Sequence, residues 1–271
     1  MFKTNFCNLH NMKNIFICLC LAIGCLSKSQ NEIQINLIDK EAFSCDEFFG
    51  IDRFNSIYYL KNQAFEKDVY GETQSYSNLQ LGKIDQVHIF NPLKIPVLHK
   101  NFNSIVLLDN RMSEIKIINF NELIPYRRVT NVAYANDSSF WLFNSISQQL
   151  ELFDYLTEKT KLKTLPFDQE IISVESDYNN VYVLTPSRFL HYNYTGSLIS
   201  EFNHEGFNKF KLGSDFIIFQ KQNSLFYKLI SNNYTKPLKT PKKTIKQFFV
   251  IDQTLYIYDG KFLYHYQLLK N

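Results

Sequence analysis

Glycine and cysteine are both in short supply in this chain. Its 271 residues include eight glycines, seven prolines, five cysteines and a single tryptophan. Eight scattered glycines cannot build a phosphate-cradling loop, and no G-x-S-x-G, H-E-x-x-H or C-x-x-C spacing occurs. A nucleophile elbow, a zinc-protease helix and a paired-cysteine zinc site are therefore not written locally. Sustained helical periodicity is also missing. What the chain does have is apolar material: 45% hydrophobic residues, with 25 Phe and 17 Tyr. That is enough for a sizeable core and excludes a disordered chain. Asn, Lys, Ile, Tyr and Phe together suggest an AT-rich genome. Their abundance alone is therefore no carbohydrate or nucleic-acid signature, although Phe, Tyr and Ile also suit strands.

The first residues read as an address. From Met12, "MKNIFICLCLAIGCLSKSQ" carries a basic Lys13, an apolar run from Ile15 to Leu26 and small residues at Ser27 and Ser29. That is the layout of a secretory signal peptide over residues 1–29, leaving 30–271 as one domain. "LAIGC" also approaches a lipobox, and the alternative is a lipid anchor on Cys25. Cleavage after Ser29 removes Lys3, Lys13 and Lys28 but no acid, so the formal +3 becomes zero. No electrostatic case for nucleic acid then remains. Cys45 is the only cysteine left, which rules out an internal disulfide and reads as a small buried hydrophobe. Membrane contact would require the lipid anchor or a partner, because the lysines of "KPLKTPKKTIK" bind headgroups weakly by themselves.

A small polar doublet followed by an apolar strand recurs six times: "NSIYYLK", "NSIVLLD", "SSFWLFN", "NNVYVLT", "SDFIIFQ" and "QTLYIYD". Aligned on Ile57, Ile105, Phe140, Val181, Phe216 and Leu255, they fall at intervals of roughly 35 to 48 residues, a period typical of repeat architectures. A shorter run precedes each doublet, and one or two runs follow most of them. This predicts an all-β, six-bladed β-propeller of four-stranded antiparallel blades, with the doublets in the turn between first and second strands. The last unit ends one strand short, while "EIQINLID" (32–39) lies unassigned before the first. Pairing that N-terminal strand into the last blade closes the ring and covers an edge. Trp141 then shares a slot with Tyr58, Val106, Tyr182, Ile217 and Tyr256, as a core residue rather than a binding platform.

Candidate site residues follow from that topology. In a propeller the connections between blades and the loops between second and third strands share one face. Asp109, Asn110, Arg111, Arg127, Arg128, Arg188 and Lys221 are expected there, including four of the five arginines. Arginine favours bidentate and stacked contacts at protein interfaces. Asp52, Asp137, Asp177, Asp215 and Asp252 recur at first turns and read as turn caps rather than metal ligands. His191 and His265 occupy matching third-strand slots and suggest stacking between blades, whereas His99 and His204 could face the axial channel. No catalytic residue, metal site or cofactor is assigned.

The leader ending in "SKSQ", the low-GC composition and the six irregular units resemble exported propeller proteins of Bacteroidetes-type Gram-negative bacteria. At fold level the chain is similar to periplasmic propeller subunits that dock onto outer-membrane assembly and secretion machines. The resemblance spans residues 32–271 and rests on the repeat pattern, without the Gly and Trp-Asp marks of the quinone-binding, WD40, Kelch or NHL types. It implies a non-catalytic scaffold for a protein partner in the cell envelope. The alternatives are a metal-dependent lactonase or hydrolase using channel-facing Asp, Asn and His, and a carbohydrate-binding propeller.

Overall fold

The inner strand of every blade is short, and those of blades 2, 4 and 5 begin with alternating polar and apolar residues, which lets one side face the axis while the other is buried. The computed structural model describes residues 32–270 apart from Ser231, Asn233, Lys242 and Lys243. The leader and Cys25 lie outside the described residues. Twenty-four strands form six four-stranded antiparallel sheets. Blade 1 comprises β2 (Glu47–Ile51), β3 (Ile57–Lys61), β4 (Ala64–Val69) and β5 (Glu72–Tyr76). Blade 2 comprises β6 (Gln86–Val87), β7 (Ile95–His99), β8 (Ser104–Leu108) and β9 (Glu114–Asn119). Blade 3 comprises β10 (Val129–Tyr134), β11 (Ser139–Asn144), β12 (Gln149–Asp154) and β13 (Lys159–Lys163). Blade 4 comprises β14 (Ser173–Ser176), β15 (Asn180–Leu184), β16 (Arg188–Asn193) and β17 (Leu198–Asn203). Blade 5 comprises β18 (Lys209–Leu212), β19 (Phe216–Lys221), β20 (Ser224–Leu229) and β21 (Thr235–Leu238).

Blade 6 takes β22 (Gln247–Ile251), β23 (Thr254–Tyr258) and β24 (Phe262–Lys270) from the C-terminal end, and β1 (Ile33–Ala42) from the N-terminal end. The clasp runs from Ile33 opposite Lys270 to Ala42 opposite Phe262. Ile33 is buried and its amide donates to the Tyr227 hydroxyl at 3.1 Å, tying the clasp to blade 5 as well. The Lys40 ammonium sits 3.6 Å above the Phe262 ring.

Each core cluster fills one junction between neighbouring blades. Within β11, Phe140 and Leu142 pack into the junction of blades 2 and 3, while Trp141 and Phe143 pack into that of blades 3 and 4. A second strand buried on both faces must be apolar at every position, which is why these segments stand out in the sequence. Trp141 is 2% exposed. It is a core residue.

Blade 2 departs from the expected register. The Asn103–Ser104 doublet lies between β7 and β8, so Ile105 and Val106 belong to a third strand. Val97, opposite Val87, packs toward blade 1, and Pro96, opposite His88, takes the slot equivalent to Trp141. Asn103 adopts a left-handed φ of 49°, as Asn55 (61°) does in a first turn; the same turn chemistry therefore serves two different hairpins. The true second strand, "IPVLH", contains Pro96, an unusual residue within a sheet.

The matching histidines stack within blades rather than between them. The Tyr182 and His191 rings lie 4.4 Å apart at 16°, and those of Tyr256 and His265 4.7 Å apart at 21°, each pair directly opposite on adjacent strands. Cross-strand ring pairs of this kind stabilise a sheet locally. Cys45 is half-buried, and burial pushes its thiol up to about 11.

Candidate functional site

The inner strands surround a cavity of about 260 Å³ on the axis. Along the side of each inner strand that faces the next blade, alternate residues make two tiers. The upper tier is Glu47, Gln86, Asn131, Ser173, Lys209 and Gln247, one from each blade, and all six line the cavity. The intervening Phe48, Val174, Phe210 and Phe248 are buried in the blade junctions. Asp85, Lys100, Ile172 and Asn208 also line it. These four lie before inner strands or in the β7–β8 turn, so the cavity opens on the face that carries the inter-blade connections.

The lower tier lies toward the opposite end. His88 from blade 2, Glu175 from blade 4 and Lys211 from blade 5 meet there. His88 Nε2 lies 3.3 Å from Glu175 Oε2, and the Lys211 ammonium donates to Glu175 Oε1. His88 Nδ1 accepts the Tyr134 amide at 3.1 Å, which fixes its ring. Phe249 fills the remaining side: its ring lies against Gly50, whose φ is +148° and where any Cβ would come within 2.5 Å of it. Only glycine fits at that contact.

Carboxamides in the upper tier also hold the blades together. Gln247 Oε1 accepts the Phe48 amide at 2.7 Å. Gln86 bonds both backbone groups of Val132, with Nε2 donating and Oε1 accepting at 3.0 Å each. Each glutamine thus satisfies backbone groups that an inner edge would otherwise leave without partners.

The charges in this cavity are unequally matched. Burial alone would raise the Glu175 carboxyl, but the Lys211 ammonium and His88 more than offset it and hold the group at about 2, against an ordinary 4.5. A carboxyl depressed in the folded state contributes stability above its unfolded value, and that contribution is lost as pH falls through the folded one. Acid titration is therefore expected to remove roughly 3 kcal/mol between about pH 5 and pH 2. Glu175→Gln should flatten that part of the denaturation-versus-pH curve, and an unchanged curve would show that the network does not form.

Glu47 and Lys209 have no such match. Among the described residues, neither head group has a hydrogen-bond partner. Burial raises the Glu47 carboxyl despite Lys209, Lys83 and Lys211 nearby, and burial together with Lys211 lowers the Lys209 ammonium despite Glu47.

The residues expected on one face divide between two. Because blade 2 is displaced by one strand, Asp109, Asn110 and Arg111 lie in the β8–β9 turn, on the face opposite the cavity mouth. There Asn110 accepts the Lys67 ammonium at 2.9 Å through its backbone carbonyl. Arg127 is 3% exposed and buried in blade 3: its Nε donates to Glu151 at 2.9 Å, and its other nitrogens to the Pro125 carbonyl and Thr160 Oγ1. It has no surface to offer a partner. Arg188 is held by Asp168 and, at 3.4 Å, by Glu201. Lys221 is half-buried beside Gly206. Arg128 alone among these arginines is exposed on the mouth face.

Apolar side chains surround Arg128. Ile124 is 96% exposed, Ile146 60% and Tyr126 51%. The loops that carry them are fixed by side-chain bonds. Asn103 Nδ2 donates to the Arg127 carbonyl at 2.6 Å and its Oδ1 accepts the Val129 amide. Asn144 Oδ1 accepts the amides of Arg128 and Ile146, and Ser145 donates its amide to the Arg128 carbonyl.

One further expectation is corrected. His99 and His204 do not line the cavity: His99 is fully buried with Nδ1 3.1 Å from the Lys83 carbonyl, and His204 stacks on Phe207. Of the turn aspartates, Asp52 caps the amides of Phe54 and Ser56 and Asp177 those of Asn179 and Asn180, while Asp252 accepts from Arg53. Among the described residues no group of three or more His, Cys, Asp or Glu is placed to hold a metal ion, and no helix is long and apolar enough to cross a membrane.

Solved structures share this architecture. Virginiamycin B lyase from Staphylococcus aureus aligns with a TM-score of 0.58 at 10% identity, covering 82% of this chain and 80% of its own. A chain of the mitotic checkpoint complex aligns at 0.57 and 10%, covering 83% and 73%. BamB from Moraxella catarrhalis aligns at 0.48 and 13%, covering 78% and 69%. The likeness is one of fold. No family model matches the chain, and no curated protein does. A lyase and a chain of the mitotic checkpoint complex stand side by side among these matches, so function must be argued from this chain's own surfaces.

Proposed function

We propose that the chain is an exported, non-catalytic propeller that acts as a protein-binding scaffold in the cell envelope, docking its partner on the rim of blades 2 and 3. The observation that carries this reading is Ile124, almost fully exposed on a loop held by side-chain hydrogen bonds, with Tyr126, Ile146 and Arg128 around it. Apolar and aromatic side chains held in advance lose little freedom on binding, and an adjacent arginine adds orientation. The expected partner surface is apolar with a carboxylate for Arg128. Export rests on the signal-like leader from Met12 to Ser29.

The test is a photo-crosslinking amino acid at Tyr126 in cells, with Tyr70 on the opposite face as the control. A discrete crosslinked protein is expected from Tyr126 and lost when Ile124→Glu is added, since a charge in an interface core costs about tenfold or more in affinity. Equal labelling from both positions, or none from Tyr126, would refute docking at this rim.

A further inference from the structure

The upper tier of the axial cavity contains an acid and a base that the fold itself does not pair. We propose that this cavity is a binding site for a small zwitterion of the amino-acid class, its carboxylate received by Lys209 and its ammonium by Glu47. This goes beyond the scaffold reading and rests on different residues.

The tier has one member from each of six blades: Glu47, Gln86, Asn131, Ser173, Lys209 and Gln247. Gln86 is committed on both sides of its amide to Val132. Gln247 uses its oxygen on Phe48, and Asn131 accepts the Thr130 hydroxyl through Oδ1. Among the described residues, Gln247 and Asn131 therefore keep NH₂ donors for a ligand, and Ser173 keeps a hydroxyl. Lys211 is already engaged by Glu175, which leaves Lys209 as the upper tier's cation and Glu47 as its anion. Glu47 is half-buried and Lys209 exposed, and both line the cavity, so a ligand carrying both opposite charges can form a charge-assisted hydrogen bond to each head group. A simple carboxylate or a simple amine would satisfy only one.

Size agrees. A cavity of about 260 Å³ falls just under the range of ~300–1,000 Å³ usual for drug-sized molecules, so the ligand is small. At the lower end Phe49, Glu175 and Lys211 line the cavity, with Glu175 held by Lys211 and by His88. Phe49, an apolar residue of the lower tier, lies below Glu47 and suits a side chain of modest size.

The test is isothermal titration of the purified full-length protein with individual free L-amino acids, alongside their N-acetyl and carboxamide derivatives and a panel of monosaccharides. At least one free amino acid should bind, with either blocking group weakening it about tenfold or more, the effect of losing a charge-assisted hydrogen bond. Lys209→Met and Glu47→Gln should each cause a comparable loss while leaving the circular dichroism spectrum and melting midpoint close to wild type. If the variants were to misfold, the blocked derivatives on the wild-type protein decide by themselves. Absence of binding by any free amino acid up to millimolar concentration, equal binding of blocked and free forms, or binding of monosaccharides alone would each overturn the proposal.

Discussion

A chain lacking Ile33–Ala42 is expected to lose cooperative unfolding altogether. That segment supplies the outer strand of blade 6 and places Ile33 in the core between blades 5 and 6. Without it, β24 becomes an exposed edge bearing Leu263, Tyr264, Tyr266 and Leu268, which the native structure buries. Long apolar edges recruit other strands, so the product should associate as well as unfold. The loss is comparable to the whole stability of an ordinary domain, ~5–15 kcal/mol. Chemical denaturation followed by intrinsic fluorescence measures it. A sharp, wild-type-like transition in the truncated chain would show that five blades and a three-stranded sixth suffice.

The second large effect is expected from Arg127→Ala, at roughly 3–5 kcal/mol, the cost of breaking a buried ion pair from one side. Glu151 is fully buried, with carboxylate oxygens that accept from Arg127, Thr160 and Asn144. Burial alone would raise its carboxyl; the hydrogen bonds from Thr160, Asn144 and Arg127, with the Arg127 charge, hold it below the ordinary range. In the native protein this group therefore adds stability above the unfolded carboxyl value, lost as pH falls through the folded one. Taking away the guanidinium removes one of the groups that lower this carboxyl, while Thr160, Asn144 and Lys163, 3.5 Å away, remain. The variant should therefore lose less stability than the native protein as pH falls through the carboxylate range. Denaturation midpoints of the two proteins across that range check the convergence. Parallel curves would mean that Arg127 contributes packing rather than charge.

The fold was legible in the sequence because a second strand buried on both faces cannot disguise itself. "SFWLFN" and "FIIFQ" contain no alternation to misread, and the polar doublets before them mark the hairpins. The short last unit and the unassigned N-terminal strand together indicated closure. Blade 2 was not legible for two reasons. Asn103–Ser104 makes a hairpin turn like any other, and Pro96 lowers the strand character of the true second strand. That single displacement moved Asp109, Asn110 and Arg111 to the wrong face. Arg127 misled for another reason: arginine is usually at the surface, and its burial depends on Glu151, which lies on a different strand and is matched to it only in three dimensions. The axial tiers were missed although they left a signal. "QVHI", "SVE" and "KFKL" alternate polar with apolar, and their polar positions are the ones that face the axis. What no one-dimensional pattern states is that Glu47, Glu175, Lys209 and Lys211, scattered along the chain, converge on one cavity.

Ring closure by the N-terminal strand determines which faces exist and where the cavity lies. Amide hydrogen exchange along Ile33–Ala42, compared with β24 under native conditions, tests it most directly. The amides of β1 that bond β24 should exchange together with those of β24, through the same global opening. Exchange in β1 at the rate of an unstructured peptide, beside a protected β24, would contradict closure and with it both surface assignments.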